Sequence, residues 1–208
     1  MGVFAQEKVL LNIPKYGRTF QEFIPAGYDT LATALGDLNG DGLSDVVLVI
    51  VKANEDSFEM DQEPKRILLS LLRKYSGYEL AGKSLQAILC RHCGGIFGDP
   101  FAGIDINKGV LDVMHYGGSA WRWSEDRRFR FQKGEFYLIG STSDSFLVGP
   151  ECDSTGSGSA GRKYKDINWL TGDVEIIERD DNCRLIKHKK FKQKLKPLVR
   201  LENFKYDF

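Results

Sequence analysis

No stretch of this 208-residue chain reaches the roughly 18 consecutive apolar residues of a membrane-spanning helix, so the sequence predicts no membrane span. Neither sign of charge prevails. The 29 lysines and arginines are matched by 29 acidic residues, which removes any overall electrostatic case for nucleic acid or an anionic membrane. Cysteine is sparse, with four residues, and only Cys90 and Cys93 form a C-x-x-C; the second such pair of a zinc ribbon is missing. No Gly-x-Ser-x-Gly elbow is present to carry a hydrolase nucleophile. Around Gly156–Lys163 the glycines of a phosphate loop occur, but Arg162 and Lys163 stand where Lys and Ser/Thr are required, and that chemistry is excluded.

What remains is a β pattern. Glycine (22 residues) and aromatics (12%) suit many strands and many turns. At this length roughly 70% of the unfolded surface can be buried, so a core forms without an obligatory metal or disulfide. Asp45–Lys52 is the clearest strand, and a short strand is expected at Lys8–Ile13. Within Lys65–Tyr75 a helical stripe competes with a hairpin; the turn at Ser76-Gly77 favours the hairpin. Leu85–Leu89, Gly103–Ile106, Val110–His115, Ala120–Trp123, Arg128–Phe131 and Phe136–Ile139 read as successive strands. Turns are expected between them at Asn107-Lys108-Gly109, Gly117-Gly118, Glu125-Asp126 and Lys133-Gly134. Val174–Ile177, a basic strand and a closing edge strand at Phe204–Phe208 complete the set. The expected fold is mainly β: an antiparallel meander forming a sandwich or a partial-propeller-like sheet in a single domain, 7–208, with a mobile Ser/Gly-rich loop at 149–161. Residues 1–6 read as a signal-peptide remnant or a flexible start, because Val3-Phe4-Ala5-Gln6 has the small residues of a cleavage site.

The most chemically explicit stretch is Asp37-Leu38-Asn39-Gly40-Asp41-Gly42-Leu43-Ser44-Asp45. Asp37, Asn39, Asp41 and Asp45 offer side-chain oxygens at positions 1, 3, 5 and 9, and Leu43 offers its carbonyl at position 7, a donor set that calcium prefers. Gly40 and Gly42 permit the tight wrap. Leu48 occupies position 12, where an EF-hand carries glutamate, so the loop is of another kind. Gly36 to Val46 resembles the calcium loop of FG-GAP/VCBS-type repeats, which build β-propellers and integrin-like proteins. Asp105-Ile106-Asn107-Lys108-Gly109 and Asp166-Ile167-Asn168 are only fragments of that pattern, so a complete propeller is not expected. The stretch from Cys90-Arg91-His92-Cys93 through His115-Tyr116-Gly117-Gly118 to Trp121-Arg122-Trp123 also resembles uncharacterised bacterial exported proteins carrying one such loop.

Four cysteines in an exported chain fit two disulfides, and Cys90–Cys93 with Cys152–Cys183 is the expected pairing among three. Zinc on Cys90, Cys93 and His92 or His115 is the alternative, and a redox role for Cys90 and Cys93 is a further one. His115 with Asp112 and Ser119 suggests a triad, whose geometry the sequence does not define. Trp121 and Trp123, two apart, share a face of a strand, and with Tyr116 they read as a platform for a sugar or peptide, or as core residues. Lys190, Lys192, Lys194 and Lys196 alternate with Phe191, Gln193 and Leu195, a row that protects an edge strand or binds an anion. The functional expectation is a periplasmic or secreted calcium-binding protein acting as a non-enzymatic binding or interaction module for a protein or glycan ligand. The rival readings are a cell-wall or glycan hydrolase using the His115 region, and a zinc or redox protein.

Overall fold

The computed structural model describes residues 12–60, 62–149, 152 and 159–206. Strands β1 (Tyr16–Gly17), β2 (Tyr28–Gly36), β3 (Asp45–Lys52), β4 (Ile67–Lys74) and β5 (Gly77–Ser84) form an antiparallel sheet in the order β1-β5-β4-β3-β2. Seven further strands lie in chain order in a second sheet: β6 (Phe101–Asn107), β7 (Val110–Gly118), β8 (Trp121–Gln132), β9 (Glu135–Leu147), β10 (Lys163–Asn168), β11 (Asp173–Arg179) and β12 (Leu185–Lys192). The architecture is a sandwich of meanders. Its hairpins follow local turn chemistry: Lys108-Gly109 and Lys133-Gly134 have positive φ at both positions, as tight turns matched to strand twist require.

The apolar run of β3 is buried from Asp45 to Val51, and Ile67–Leu72 of β4 are equally enclosed. Alternation sends Val47, Val49, Leu68 and Leu72 toward the second sheet, where they meet Leu111, Val113, Phe129, Phe136 and Leu138. The opposite face, with Val46, Leu48, Ile50, Ile67 and Leu69, is covered by Ile13 and Phe23 from the segment before β2. Phe20–Phe23 in that segment is a 3-10 turn, where Glu22 accepts the Thr19 N–H at 3.3 Å. At one margin the two sheets converge so closely that a Cβ on Gly36 would lie 2.6 Å from Ile106 Cγ2. That contact sets the β2–β3 loop beside the β6–β7 turn.

Several expectations are corrected. Leu85–Leu89 is a run of bends rather than a strand; Leu89 donates its N–H to a histidine nitrogen instead of a ladder. Glu125-Asp126 does not turn the chain: β8 continues through it, because each residue keeps its partner on β7 and β9. Residues 204–206, the described part of the expected edge strand, are not a strand: they follow a 3-10 turn at Leu201–Asn203, and Phe204 and Tyr206 pack against the shared core. The Lys8–Ile13 strand and the 149–161 loop lie largely outside the described residues, as do residues 1–6.

One buried ion cluster joins the long connections. The Arg66 side chain is fully buried and clamps Glu55 through Nε and Nη2 at 2.8 Å each; Nη1 and Nη2 reach Asp99 at 2.7 and 2.6 Å. Burial alone would weaken the charge on Arg66, but the hydrogen bonds it donates to both carboxylates, with their charge, outweigh it and hold the guanidinium more firmly protonated. Arg66→Met should lower the unfolding free energy by about 3 kcal/mol, because Glu55 and Asp99 lose their counter-charge. Urea unfolding measures this, and a loss below ~1 kcal/mol would show that the cluster does not hold these connections.

Candidate functional site

The β2–β3 loop curls around its own carboxylates. Asp37 Oδ1 accepts the Gly40 N–H at 2.7 Å and Oδ2 the Gly42 N–H at 2.9 Å. Asn39 Oδ1 accepts from Asp41 N–H at 2.9 Å, and Asp41 Oδ1 from Leu43 N–H at 2.8 Å. The wrap needs Gly40 and Gly42 at φ of 78° and 81°, a conformation that side chains disfavour. These bonds, led by that from Gly42, hold the Asp37 carboxyl below its ordinary pKa. Asp45 stands apart from this exposed rim. It is fully buried, with Oδ2 accepting the Leu38 N–H at 2.8 Å and Oδ1 the Arg73 N–H at 2.7 Å. Burial pushes its pKa up, with smaller contributions from Asp41 and Asp37. The sequence assigned all four side chains one role; the structure gives Asp45 the added work of tying the loop base to β4. A hollow of about 310 Å³ beside Asp37 and Gly40 is closed by Ile106, Lys108 and Gly109 of the β6–β7 turn.

Donor type and backbone curl therefore fit a hard cation, while convergence is incomplete in this conformation. Among the described residues no three His, Cys, Asp or Glu side chains stand together as a metal cluster. Each carboxylate oxygen has two lone pairs, so the N–H bonds described leave acceptor capacity on Asp37, Asp41 and Asp45.

The aromatic platform divides. Trp123 pairs with Gly117 and Ser124 with Tyr116, so alternation places Tyr116 and Trp123 on opposite faces of the sheet. Trp123 lies against Gly117, where a Cβ would come within 2.7 Å of the indole, and Trp121 covers Gly161 at 2.4 Å by the same measure. Trp121 remains half exposed. Tyr116 instead joins two residues that the sequence did not single out. Phe97 meets it edge-on at 6.2 Å between ring centroids, and the Arg122 guanidinium stacks 3.4 Å from the Phe97 centroid. Tertiary contacts bring the Phe97 loop to the end of β7: the Gly95–Gly118 bridge, and the Tyr116 N–H donated to the Pro100 carbonyl at 2.8 Å.

The same outer face of the seven-stranded sheet carries a polar groove. Arg128 lies flat over Gly140 and donates to Thr142 Oγ1 at 2.8 Å and Asp166 Oδ1 at 2.7 Å. Two hollows sharing Asp166 and Asn168, of about 170 and 450 Å³, run from Arg128 to Glu175 and Lys190. Burial raises the Asp112 and Asp126 carboxyls, opposed by Arg128.

His115 is a corrected expectation. It is buried, on the opposite face from Asp112, which removes the proposed triad. Nε2 accepts the Leu89 N–H at 3.1 Å, which assigns the ring proton to Nδ1, 3.0 Å from the Tyr206 hydroxyl. Geometry gives this imidazole a role in positioning the 85–89 bends and the C-terminal tail. The zinc alternative also falls, because Cys90 is bonded to Cys93 and Cys152 to Cys183. Two disulfides suit an oxidising, extracytoplasmic environment. No βαβ unit, the usual setting of a thioredoxin-like pair, occurs among the described residues. Of the lysine row, Lys190 and Lys192 are ion-paired with Glu175 and Asp173, whereas Lys194 and Lys196 follow the end of β12.

No family model, curated protein or solved structure matches this chain. No helix among the described residues is long and apolar enough to cross a membrane.

Burial, reinforced by Arg127 and Arg66 and opposed by Asp99, lowers the His115 pKa to about 4 from 6.5. The unfolded chain therefore takes up a proton at higher pH than the folded one. Stability from neutral His115 is complete above pH 6.5 and is lost as pH falls toward 4. Between pH 7 and pH 4.5 the wild type should lose about 2–3 kcal/mol more than His115→Asn in urea titrations. Parallel pH profiles for the two proteins would refute this.

Proposed function

We propose that this protein is an exported, non-enzymatic binding module in which calcium on the β2–β3 loop stiffens the sandwich, and in which the outer face of the seven-stranded sheet engages a protein or glycan ligand. The observation that carries the reading is the loop itself. Asp37, Asn39 and Asp41 alternate around a backbone curled by Gly40 and Gly42, with Asp45 anchoring its base. Asp37, Asn39 and Asp41, the Leu43 carbonyl and the remaining lone pairs of Asp45 would hold the ion. Calcium would supply the positive charge that three neighbouring carboxylates otherwise lack. The loop's resemblance to FG-GAP/VCBS-type repeats supports the same assignment. An extracytoplasmic setting, which the disulfides favour, is one in which weak calcium sites are filled.

The outer face supports binding rather than catalysis. Its charges are largely paired with one another, as in Arg128–Asp166, Arg162–Asp144 and Lys190–Glu175. Such a face offers a ligand hydrogen bonds and the Phe97–Tyr116–Arg122 stack.

Calcium titration followed by thermal melts tests the metal. A hundredfold excess over the dissociation constant stabilises by about 2.7 kcal/mol, or a Tm rise of roughly 5–10 °C for a chain of this size. Asp41→Ala should abolish most of that rise. No shift with calcium, or an equal shift in the variant, would reject the loop as a calcium site.

A further inference from the structure

The balanced overall charge conceals one segment that is not balanced. From Leu185 to Arg200, through β12 and the strap that follows, there are six lysines, one arginine and no acidic residue. Lys187, Lys190 and Lys192 have partners on β11, namely Glu178, Glu175 and Asp173. Lys189, Lys194 and Lys196 are exposed and make no ion pair with any described residue. Strand β12 is the outer edge of its sheet and pairs with β11 alone among the described strands.

Edge protection accounts for the lysines but not for the apolar side chains set between them. Ile186 is 65% exposed, Leu195 57% and Phe191 47%, each beside a lysine in the chain. Phe191 and Lys189 share one face of β12, opposite Val174 and Ile176. Lys196 also borders an apolar hollow of about 220 Å³ formed with Trp169, Leu138 and Pro197. A soluble polyanion would use the ammonium groups and leave Ile186, Phe191 and Leu195 in water. A bilayer with anionic headgroups uses both kinds of side chain: lysines meet phosphates at the surface while the apolar groups enter the interface.

We propose that β12 and the following strap form a peripheral docking surface for an anionic lipid bilayer, with Lys189, Lys194 and Lys196 at the headgroups and Ile186, Phe191 and Leu195 in the interface. The surface lies on a different sheet from the β2–β3 loop, and the assignment does not depend on calcium.

Co-sedimentation of the full, disulfide-intact chain with vesicles tests it, in EDTA so that calcium bridging plays no part. The protein should partition onto phosphatidylglycerol/phosphatidylcholine vesicles, leave them in about 0.5 M salt, where the screening length falls to roughly 4–5 Å, and ignore pure phosphatidylcholine. Lys189→Gln, Lys194→Gln and Lys196→Gln combined should weaken partitioning by about a hundredfold. Phe191→Ser with Leu195→Ser should weaken it by roughly tenfold or more while leaving elution from immobilised heparin unchanged. Thermal melts matching the wild type certify that these exposed variants are folded. Failure of the folded wild type to bind anionic vesicles overturns the proposal, as does unchanged binding of the lysine variant. Wild-type partitioning of the Phe191/Leu195 variant, with heparin retention dependent on the lysines, would instead identify a site for soluble polyanions.

Discussion

The β3–β4 pair is apolar on both faces, and a strand pair that can turn neither face to water must be covered twice. The second sheet covers one side through Leu111, Val113 and Phe129, and Ile13 and Phe23 cover the other. Antiparallel sheets commonly leave one face in water, with alternating polar residues to match. This one does so only in its larger sheet, where β8 and β9 place Arg128, Asp126 and Thr142 on the outer side. The asymmetry decides where a ligand has access. The β3–β4 pair lies in the interior of the molecule, whereas the larger sheet turns one polar face to solvent.

Asp45 connects that interior to the β2–β3 loop. A buried carboxylate is costly unless its oxygens are satisfied, and two backbone N–H groups from different elements satisfy it here. The loop base is thus fixed by β4, itself in the doubly covered layer, while Asp37, Asn39 and Asp41 stay at the surface. A cation held there would act on a hinge already anchored to the core. That arrangement suits a stiffening role better than a catalytic one.

Much of this was legible in local sequence. Asp45–Lys52 reads as a strand because β-branched and aliphatic residues follow one another without a breaker, and the strand has those limits. The hairpin over Ile67–Ser84 follows from Gly77 at its turn, and the disulfide pairing was expected. The misreadings have a common origin. Glu125-Asp126 carries turn-forming residues, but pairing with strands on both sides keeps them extended. Leu85–Leu89 has strand-like residues, but no neighbouring strand takes up its hydrogen bonds. The pairing of Phe97 with Arg122 has no local signal, because it depends on contact between the Gly95 loop and the end of β7.

The sequence by itself determined the elements whose causes are local: strand alternation, tight turns at glycine, the oxygen-rich loop, and the lysine-rich stretch with no acid to offset it. These depend on neighbours a few residues apart, within reach of backbone sterics and period-two patterning. Tertiary structure decided which faces were covered, and therefore what each polar group does. His115 became a buried acceptor, Tyr116 and Trp123 parted to opposite faces, and Asp45 became a clamp as well as a candidate ligand. Burial and pairing partners are set by residues tens of positions away, and no local pattern encodes them.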